Sequence, residues 1–252
     1  MGGPDMAPHT PQRSDRPGEA VALLDTPARR PGVRLIAAGA VLLLLVSPGI
    51  ASAQHADCIT LEDFATGKVG EFPLDWKVRK DEGLDVYSVQ EEAGRRFLRA
   101  VSRGVGIQAA KEREWDLKAY PVLACSRRPR RFPRGADERE SGKNDSALAV
   151  YLLVPYSWMR GPRAVKYIWS ERVPVATHLT SNAGLTQVRV LRSGPAGQDA
   201  WTEERVNVLE DYKRYFGDAD TPKPAGIAVL TDADDTRSVA EGDYANFRAC
   251  RE

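Results

Sequence analysis

An acidic turn near the C-terminus groups side chains of the kind that bind metal ions. Asp232, Asp234 and Asp235 follow directly after an apolar run. Carboxylate oxygens crowded on a turn suit Ca²⁺, which takes six to eight oxygen ligands. Glu62 and Asp243, beside the first and last apolar runs, are the candidates to complete such a shell. The alternative is an Asx turn whose side chains bond their own backbone. No cofactor other than a structural Ca²⁺ is suggested.

Tryptophan side chains are the candidate platforms for a sugar ring, which stacks on exposed indoles. Trp158 falls in a predicted turn, Trp201 begins a predicted strand, and Trp169 lies in a Tyr-Ile-Trp run. Each of these indoles serves a hydrophobic core equally well. Arg127 and Arg131, in an arginine-rich segment, are the candidate contacts to an anionic ligand.

Residues for nucleophilic catalysis are scarce. The chain has three histidines, and only His178 lies well inside the predicted domain. It contains no G-x-S-x-G elbow, no H-E-x-x-H motif and no glycine-rich phosphate loop that opens a helix. Carboxylates are plentiful, and a paired-acid glycosidase remains an alternative. Its candidate residues are Asp145, Glu171, Glu203 and Glu204. The last two are adjacent, so they point to opposite faces of a strand.

The elements that position these side chains are short β-type runs separated by Gly, Pro, Asp and Asn. Ser146–Val154 is apolar on both faces and is predicted to be a central strand. Thr186–Arg192 alternates between apolar and polar residues, so one of its faces is expected to contact solvent. The other predicted strands are Cys58–Phe64, Trp76–Arg79, Leu84–Gln90, Arg96–Val101, Gly106–Lys111, Val122–Arg127, Ala164–Ser170, Trp201–Asn207, Ala225–Thr231 and Tyr244–Cys250.

One helix is predicted near residues 208–216. Asn207 can cap its first turn and Glu210 stands at the capping-box spacing. Gly217 is placed to end it. A dozen strands with one short helix indicate an all-β fold, a two-sheet antiparallel β-sandwich of the jelly-roll type.

Three cysteines bear on how the ends of this sandwich meet. Cys58 opens the first predicted strand and Cys250 closes the last one. We expect the terminal strands to lie side by side, so that these two residues form a disulfide. The alternative is three free thiols. Cys125 is expected to be a small buried hydrophobe.

The N-terminal quarter of the chain differs in composition from the rest. Every aromatic residue lies from Phe64 onward. A segment that lacks aromatics and is rich in Pro and Arg cannot bury enough surface to fold. We expect residues 1–32 to be a disordered extension or a misassigned start, and residues 56–252 to form one domain. With 36 Lys+Arg against 35 Asp+Glu, no nucleic-acid partner is predicted.

Residues 33–53 have the pattern of a signal peptide. Leu35–Val46 is an uncharged apolar run of 12 residues, shorter than the roughly 20 that span a membrane. Small residues at Ala51 and Ala53 predict cleavage before Gln54. The alternatives are an uncleaved anchor or a buried strand. With cleavage, we predict a periplasmic or secreted protein with no stable membrane span.

Residues 126–145 form a highly charged stretch without a strand pattern. Five arginines are followed by three acidic residues. Long structureless loops inside compact domains are uncommon and are usually functional or disordered. We expect either a solvated loop whose charges pair with each other or a lid over a binding face.

Several motifs appear together in a fixed order. They are LEDF, FPLDW, NDSALAVYLLV, KYIWS, VRVLRSG, ERVNVLEDYKRYFG and GIAVLTDADDT. This set resembles the bacterial family known as domain of unknown function 3047, over about Leu61–Phe247. The resemblance implies an exported single-domain protein with no assigned activity. The C-terminal pattern is also similar to galactose-binding-like and carbohydrate-binding jelly rolls. Cys125 and Arg127 stand where the family is expected to have aromatic residues.

Three functional hypotheses follow. The leading one is an exported, non-catalytic sandwich that binds a cell-envelope glycan or another carbohydrate. The second is a carboxylate-dependent glycoside hydrolase or lyase. The third is an envelope protein-interaction module that uses the Arg127–Arg134 segment. The oligomeric state is not predicted.

Overall fold

The structure is a computed structural model that describes residues 58–217 and 223–252. The predicted extension at residues 1–32, the signal peptide at residues 33–53 and its cleavage site before Gln54 lie outside the described residues. In the two described ranges, no helix combines the length and the apolar character that a membrane span needs.

Two β-sheets form a sandwich, which confirms the predicted fold class. The first is a six-stranded sheet with the order β11-β6-β13-β4-β3, in which β1 also pairs with β13. Its strands are β1 (Cys58–Glu62), β3 (Tyr87–Glu92), β4 (Arg95–Arg103), β6 (Val122–Arg131), β11 (Thr202–Asn207) and β13 (Val239–Cys250).

The second sheet has seven strands in the order β2-β5-β12-β7-β8-β10-β9. They are β2 (Trp76–Val78), β5 (Ala109–Glu112), β7 (Leu148–Ser157), β8 (Gly161–Ser170), β9 (His178–Ser181), β10 (Thr186–Ser193) and β12 (Gly226–Leu230). Strands β8 and β10 are parallel. The predicted antiparallel arrangement holds at the other pairs, and this parallel pair arises because the connection between β8 and β10 contains β9, which pairs antiparallel with the far side of β10.

The alternation of side chains along β7 separates two apolar clusters. Leu148, Val150 and Leu152 belong to a large cluster that also contains residues of the six-stranded sheet. This cluster is the core between the sheets. Ala149 and Tyr151 belong to a smaller cluster on the opposite face of the seven-stranded sheet. Because both faces of β7 are covered, its sequence is apolar almost throughout.

The two ends of the domain are joined, as the sequence predicted. Strand β1 pairs antiparallel with β13, with Cys58 opposite Cys250. The two residues form a disulfide. Cys125 is free and buried in the core, which agrees with its expected role as a small hydrophobe.

The charged stretch at residues 126–145 is organised differently from the prediction. Strand β6 continues to Arg131, so the segment Ser126–Arg131 is not a loop. The sequence obscured this because most side chains in that segment are charged or polar, and a strand pattern rests on apolar residues. The connection to β7 begins only after Arg131. Strand β9 (His178–Ser181) is a second feature that the sequence did not predict, because no strand was expected around His178.

Helix α1 (Val208–Phe216) has the predicted bounds and caps. The Asn207 side chain accepts a hydrogen bond from the Glu210 amide at 3.0 Å. Gly217 ends the helix with a φ of 70°, a conformation that glycine adopts without strain. Val208 and Tyr212 pack into the core.

Candidate functional site

A cleft of about 620 Å³ lies on the outer face of the seven-stranded sheet. Its floor comes from strands β7, β8, β10 and β12 and from Asp232, two residues after β12. Its rim comes from the surrounding loops and from the ends of β8 and β9. The floor residues are Tyr151, Leu153, Ala164, Lys166, Thr186, Leu230 and Asp232. The rim residues are Arg79, Lys80, Gly106, Ile107, Gln108, Asn144, Pro162, Ser181 and Asn182.

The strand register places the two long polar side chains of the cleft next to each other. Cross-strand pairing places Ala110, Ala228, Tyr151, Lys166 and Val188 in one row across five strands. Paired residues point to the same face of a sheet. Of this row, Tyr151 and Lys166 line the cleft at the middle of the sheet, whereas Ala110 and Ala228 belong to an apolar cluster beside it.

Three polar groups are buried at the floor of the cleft. Lys166 is 5% exposed, Tyr151 is 7% exposed and Asp232 is 9% exposed. The Lys166 ammonium lies 5.6 Å from the centre of the Tyr151 ring. Buried ionisable groups of this kind concentrate at binding and catalytic sites.

The protonation of these groups follows from their burial and from each other. Burial raises the pKa of Tyr151, so the phenol stays protonated at neutral pH. Burial alone would lower the pKa of Lys166, but Tyr151 and Asp232 together hold it above its ordinary value. Burial raises the pKa of Asp232 to about 8, against the opposing charge of Lys166. The floor therefore presents an ammonium and a neutral phenol as hydrogen-bond donors.

An acidic cluster adjoins this floor. One carboxylate oxygen from each of Asp145, Asp232 and Asp234 lies within 4.8 Å of the others. Asp145 also holds the acidic turn, because it accepts hydrogen bonds from the amides of Asp235 at 3.2 Å and of Thr236 at 2.8 Å. The Oδ1 atom of Asp232 is buried and has no hydrogen-bond partner.

The other predicted metal ligands are engaged elsewhere. Glu62 accepts hydrogen bonds from Trp76 Nε1 at 2.9 Å and from Lys111 Nζ at 2.6 Å. Asp243 is fully buried and is ion-paired on the six-stranded sheet. Asp235 accepts a hydrogen bond from the Asn144 amide at 3.0 Å. Glu62 and Asp243 therefore lie apart from the group of Asp145, Asp232 and Asp234 that the fold brings together.

The three candidate tryptophans lie in different environments. Trp158 is 93% exposed at the tip of the β7–β8 hairpin. It lines a shallow depression that shares Pro162 with the cleft. Trp201 is half-buried at the six-stranded sheet, where the Arg128 guanidinium lies 4.6 Å from its ring centre. Trp169 is buried and donates a hydrogen bond to the Gly194 carbonyl at 3.0 Å, so its indole does not reach a ligand.

The two candidate arginines also differ. Arg127 is only 1% exposed and lies between the sheets, where it donates to the Tyr167 carbonyl and forms an ion pair with Glu204 at 2.9 Å. Arg127 therefore lies apart from the cleft, with its guanidinium paired to Glu204. Arg131 is exposed and pairs with Glu241 at 3.3 Å, outside the cleft.

The carboxylates proposed for a glycosidase do not line the cleft in the described part of the chain. Glu204 forms ion pairs with Arg127 and Arg192. Glu203 pairs with Arg248 on the surface. Glu171 lies beside Arg172, and Asp145 supports the acidic turn.

Sequence reasoning missed Tyr151 and Lys166. The signal was present in Lys166, a lysine inside the apolar run from 164 to 169. A charged side chain that is buried in a central strand needs a polar partner or a ligand to offset its loss of hydration. Register with β7, which single-strand patterns do not reveal, supplies Tyr151 as that partner.

Comparison with known proteins places the chain in a family. No curated protein matches its sequence. Among solved structures, it is similar to TmCBM61 in complex with β-1,4-galactotriose, with 12% identity, 77% of this chain and 99% of that chain covered, and a TM-score of 0.37. It is also similar to a family 30 carbohydrate-binding module of a Clostridium thermocellum cellulosomal cellulase, with 10% identity, 77% and 98% coverage, and a TM-score of 0.43.

A third similar structure is the glycoside hydrolase domain Endo-D from Streptococcus pneumoniae, with 8% identity, 70% of this chain and 21% of that chain covered, and a TM-score of 0.33. These similarities are too distant to assign the ligand of any of these proteins to this chain. The family model described as a protein of unknown function, DUF3047, matches residues 75–248. Because this match covers well over half of the chain, the protein belongs to the DUF3047 family.

Proposed function

We propose that this protein is an exported, non-catalytic β-sandwich that binds a carbohydrate in the cleft of the seven-stranded sheet. The observation that carries the proposal is the buried pair Tyr151 and Lys166 at the floor of a cleft of about 620 Å³. Ligand sites are typically concave, largely apolar and furnished with a few convergent polar groups. This cleft is concave and has convergent polar groups, but its lining is more polar than that of a typical site, which suits a ligand rich in hydroxyl groups.

The lining of the cleft matches the chemistry of a sugar. Carbohydrates present hydroxyl groups, which both donate and accept, beside apolar C–H faces. The floor offers Leu153 and Leu230 for the apolar faces and the Lys166 ammonium for hydroxyl oxygens. Gln108 and Asn144 at the rim offer amides that donate and accept. The floor lies on strands rather than loops, which favours a preformed site.

The arrangement of carboxylates favours binding over catalysis. Glycosidases use two carboxyl groups about 5–5.5 Å apart in retaining enzymes and about 6.5–9.5 Å apart in inverting ones. Asp145, Asp232 and Asp234 form one tight cluster, with one oxygen from each within 4.8 Å of the others, rather than two carboxyl groups that flank a bound sugar. Of these three residues, only Asp232 lines the cleft.

Export is part of the proposal. The signal-peptide pattern at residues 33–53 supports it. The disulfide between Cys58 and Cys250 is compatible with it, because disulfides persist in oxidising compartments. The protein-interaction alternative loses its basis at Arg127 and Arg128, since both side chains are buried in ion pairs.

Glycan binding by matched variants tests the proposal. The full chain is screened on a glycan array that includes cell-envelope polysaccharides, and the best ligand is titrated by calorimetry. Lys166→Met removes a charged donor from the floor at similar volume and is expected to weaken binding about 10- to 100-fold, since such hydrogen bonds contribute about 1.5–3 kcal/mol. Tyr120→Phe, outside the cleft, is the matched control for Tyr151→Phe.

The predicted result is that Tyr151→Phe and Lys166→Met lower the affinity while Tyr120→Phe leaves it unchanged. Thermal unfolding of each variant checks that it remains folded. A folded wild-type protein that binds no glycan on the array, or floor variants that bind as tightly as the wild type, would exclude the cleft as a carbohydrate site.

A further inference from the structure

We propose that Asp145, Asp232 and Asp234 bind a calcium ion at the edge of the cleft. The three residues come from two segments that are distant in sequence. Asp145 precedes β7, whereas Asp232 and Asp234 follow β12. One oxygen from each lies within 4.8 Å of the others, a spacing at which a single cation can contact all three. This inference does not require the carbohydrate.

The Asp232 carboxylate supplies the observation that points to a ligand. The residue is 9% exposed, and its Oδ1 atom is buried without a hydrogen-bond donor. A buried polar atom without a partner is costly, and buried carboxylates are normally paired, hydrogen-bonded or bound to metal. The neighbouring Asp145 is satisfied by the amides of Asp235 and Thr236. These long-range hydrogen bonds explain Asp145 but leave Asp232 Oδ1 unexplained.

Gly106 keeps space for the carboxylates. A Cβ atom at this position would lie 2.4 Å from Asp232 Oδ1 and 3.0 Å from Asp234 Oδ1. Such a contact would displace both side chains. The φ angle of Gly106 is not in the left-handed region, so the close approach, rather than backbone conformation, requires a glycine here.

The charges around the cluster favour a divalent ion. Lys166 is the cation whose charge acts on Asp232. Three carboxylates against one ammonium give the site an excess of two negative charges once Asp232, whose pKa is raised to about 8, has lost its proton. Asp234 is exposed, so the remaining coordination positions face solvent and the cleft. Ca²⁺ tolerates irregular shells of six to eight oxygens, whereas Mg²⁺ demands a near-ideal octahedron.

Calorimetric titration of CaCl₂ into the EDTA-treated full chain tests the site without any sugar. The affinity is expected in the range of about 10⁻⁴–10⁻³ M that exposed extracellular sites show. Asp234→Asn removes one charged ligand at an exposed position and is expected to weaken Ca²⁺ binding at least about tenfold, because affinity follows the charge count of the ligands.

Asp235→Asn is the matched control. It makes the same chemical change one residue away, and its amide oxygen still accepts the hydrogen bond from Asn144. Its Ca²⁺ affinity is expected to equal that of the wild type. Gly106→Ala is expected to abolish binding through the collision of its Cβ with Asp232.

A second measurement does not depend on variants. Hydrogen exchange of the wild-type chain is expected to slow at residues 232–236 when CaCl₂ is added. Absence of heat and of this protection at millimolar Ca²⁺, or equal affinity in Asp234→Asn and the wild type, would overturn the site. Equal binding of MgCl₂ and CaCl₂ would overturn the assignment to calcium. Since no glycan is present, these outcomes leave the carbohydrate proposal untouched.

Discussion

At the scale of single residues, the interior contains charges that strand patterns do not anticipate. Arg127 lies between the sheets and pairs with Glu204 at 2.9 Å. Its neighbour Arg128 is also buried and pairs with Asp243 at 2.7 Å on the other face of the strand. The free Cys125 behaves as the sequence predicted, and burial raises the pKa of its thiol to about 12. Its thiol is therefore protonated and unreactive in the folded chain.

The buried ion pair gives a sharp prediction for two adjacent glutamates. Glu204→Gln leaves the Arg127 guanidinium buried without its counter-charge, and breaking a buried pair in this way costs about 3 kcal/mol or more. Glu203→Gln, on the exposed face of the same strand, is expected to change stability by less than about 0.5 kcal/mol. Urea unfolding of both variants measures the difference. Equal effects would contradict the described environment of Arg127.

At the scale of elements, the sequence predicted twelve of the thirteen strands found in residues 58–217 and 223–252, as well as helix α1 and its caps. It succeeded where apolar runs end at turn residues, as in β7 and β12. The predicted end of β6 at Arg127 was too early, because the rest of the strand is mostly arginine. Strand β9, an edge strand of four residues, was not predicted. The pairing order, including the parallel pair of β8 and β10, depends on contacts between distant segments and was beyond local patterns.

The β7–β8 hairpin provides a prediction about ligand length. Its tip carries Trp158, and the depression there shares Pro162 with the cleft. A long oligosaccharide seated in the cleft is expected to reach the indole, whereas a short one is not. Trp158→Ala should therefore weaken binding of long oligosaccharides by about 1–3 kcal/mol, in the range of aromatic stacking, and leave short ones unaffected. Calorimetry over a length series measures this.

A matched control for the hairpin is Trp201→Phe, at the opposite sheet. It is expected to leave affinity for every ligand length unchanged. If Trp158→Ala and the wild type bind long oligosaccharides equally well, the ligand does not extend along this hairpin.

At the scale of the whole molecule, the disulfide closes nearly the entire domain. Cys58 and Cys250 are separated by 192 residues, and a cross-link over so long a loop restricts the unfolded chain strongly. Replacing both cysteines by alanine is expected to lower the free energy of unfolding by about 2–5 kcal/mol, with the fold retained. Denaturant unfolding of the double variant, compared with Cys125→Ala, measures the effect. A loss below that of the single variant would contradict it.

The candidate site shows what a single sequence can and cannot specify. The acidic turn was visible because its members are close in the chain. Tyr151 and Lys166 were not, because their proximity arises from the pairing of β7 with β8. The burial of Trp169 and Arg127 was not predicted for the same reason, since burial depends on which face of a strand meets the other sheet.

Hydrogen exchange of the full chain, with and without the best glycan from the array, tests the central claim most directly. We expect slower exchange at the rim of the cleft, in the segments around Arg79–Lys80, Gly106–Gln108 and Ser181–Asn182. The outer face of the six-stranded sheet around Trp201 should be unchanged. Protection confined to the region of Trp201, with none at the cleft rim, would contradict the assignment of this cleft as the binding site.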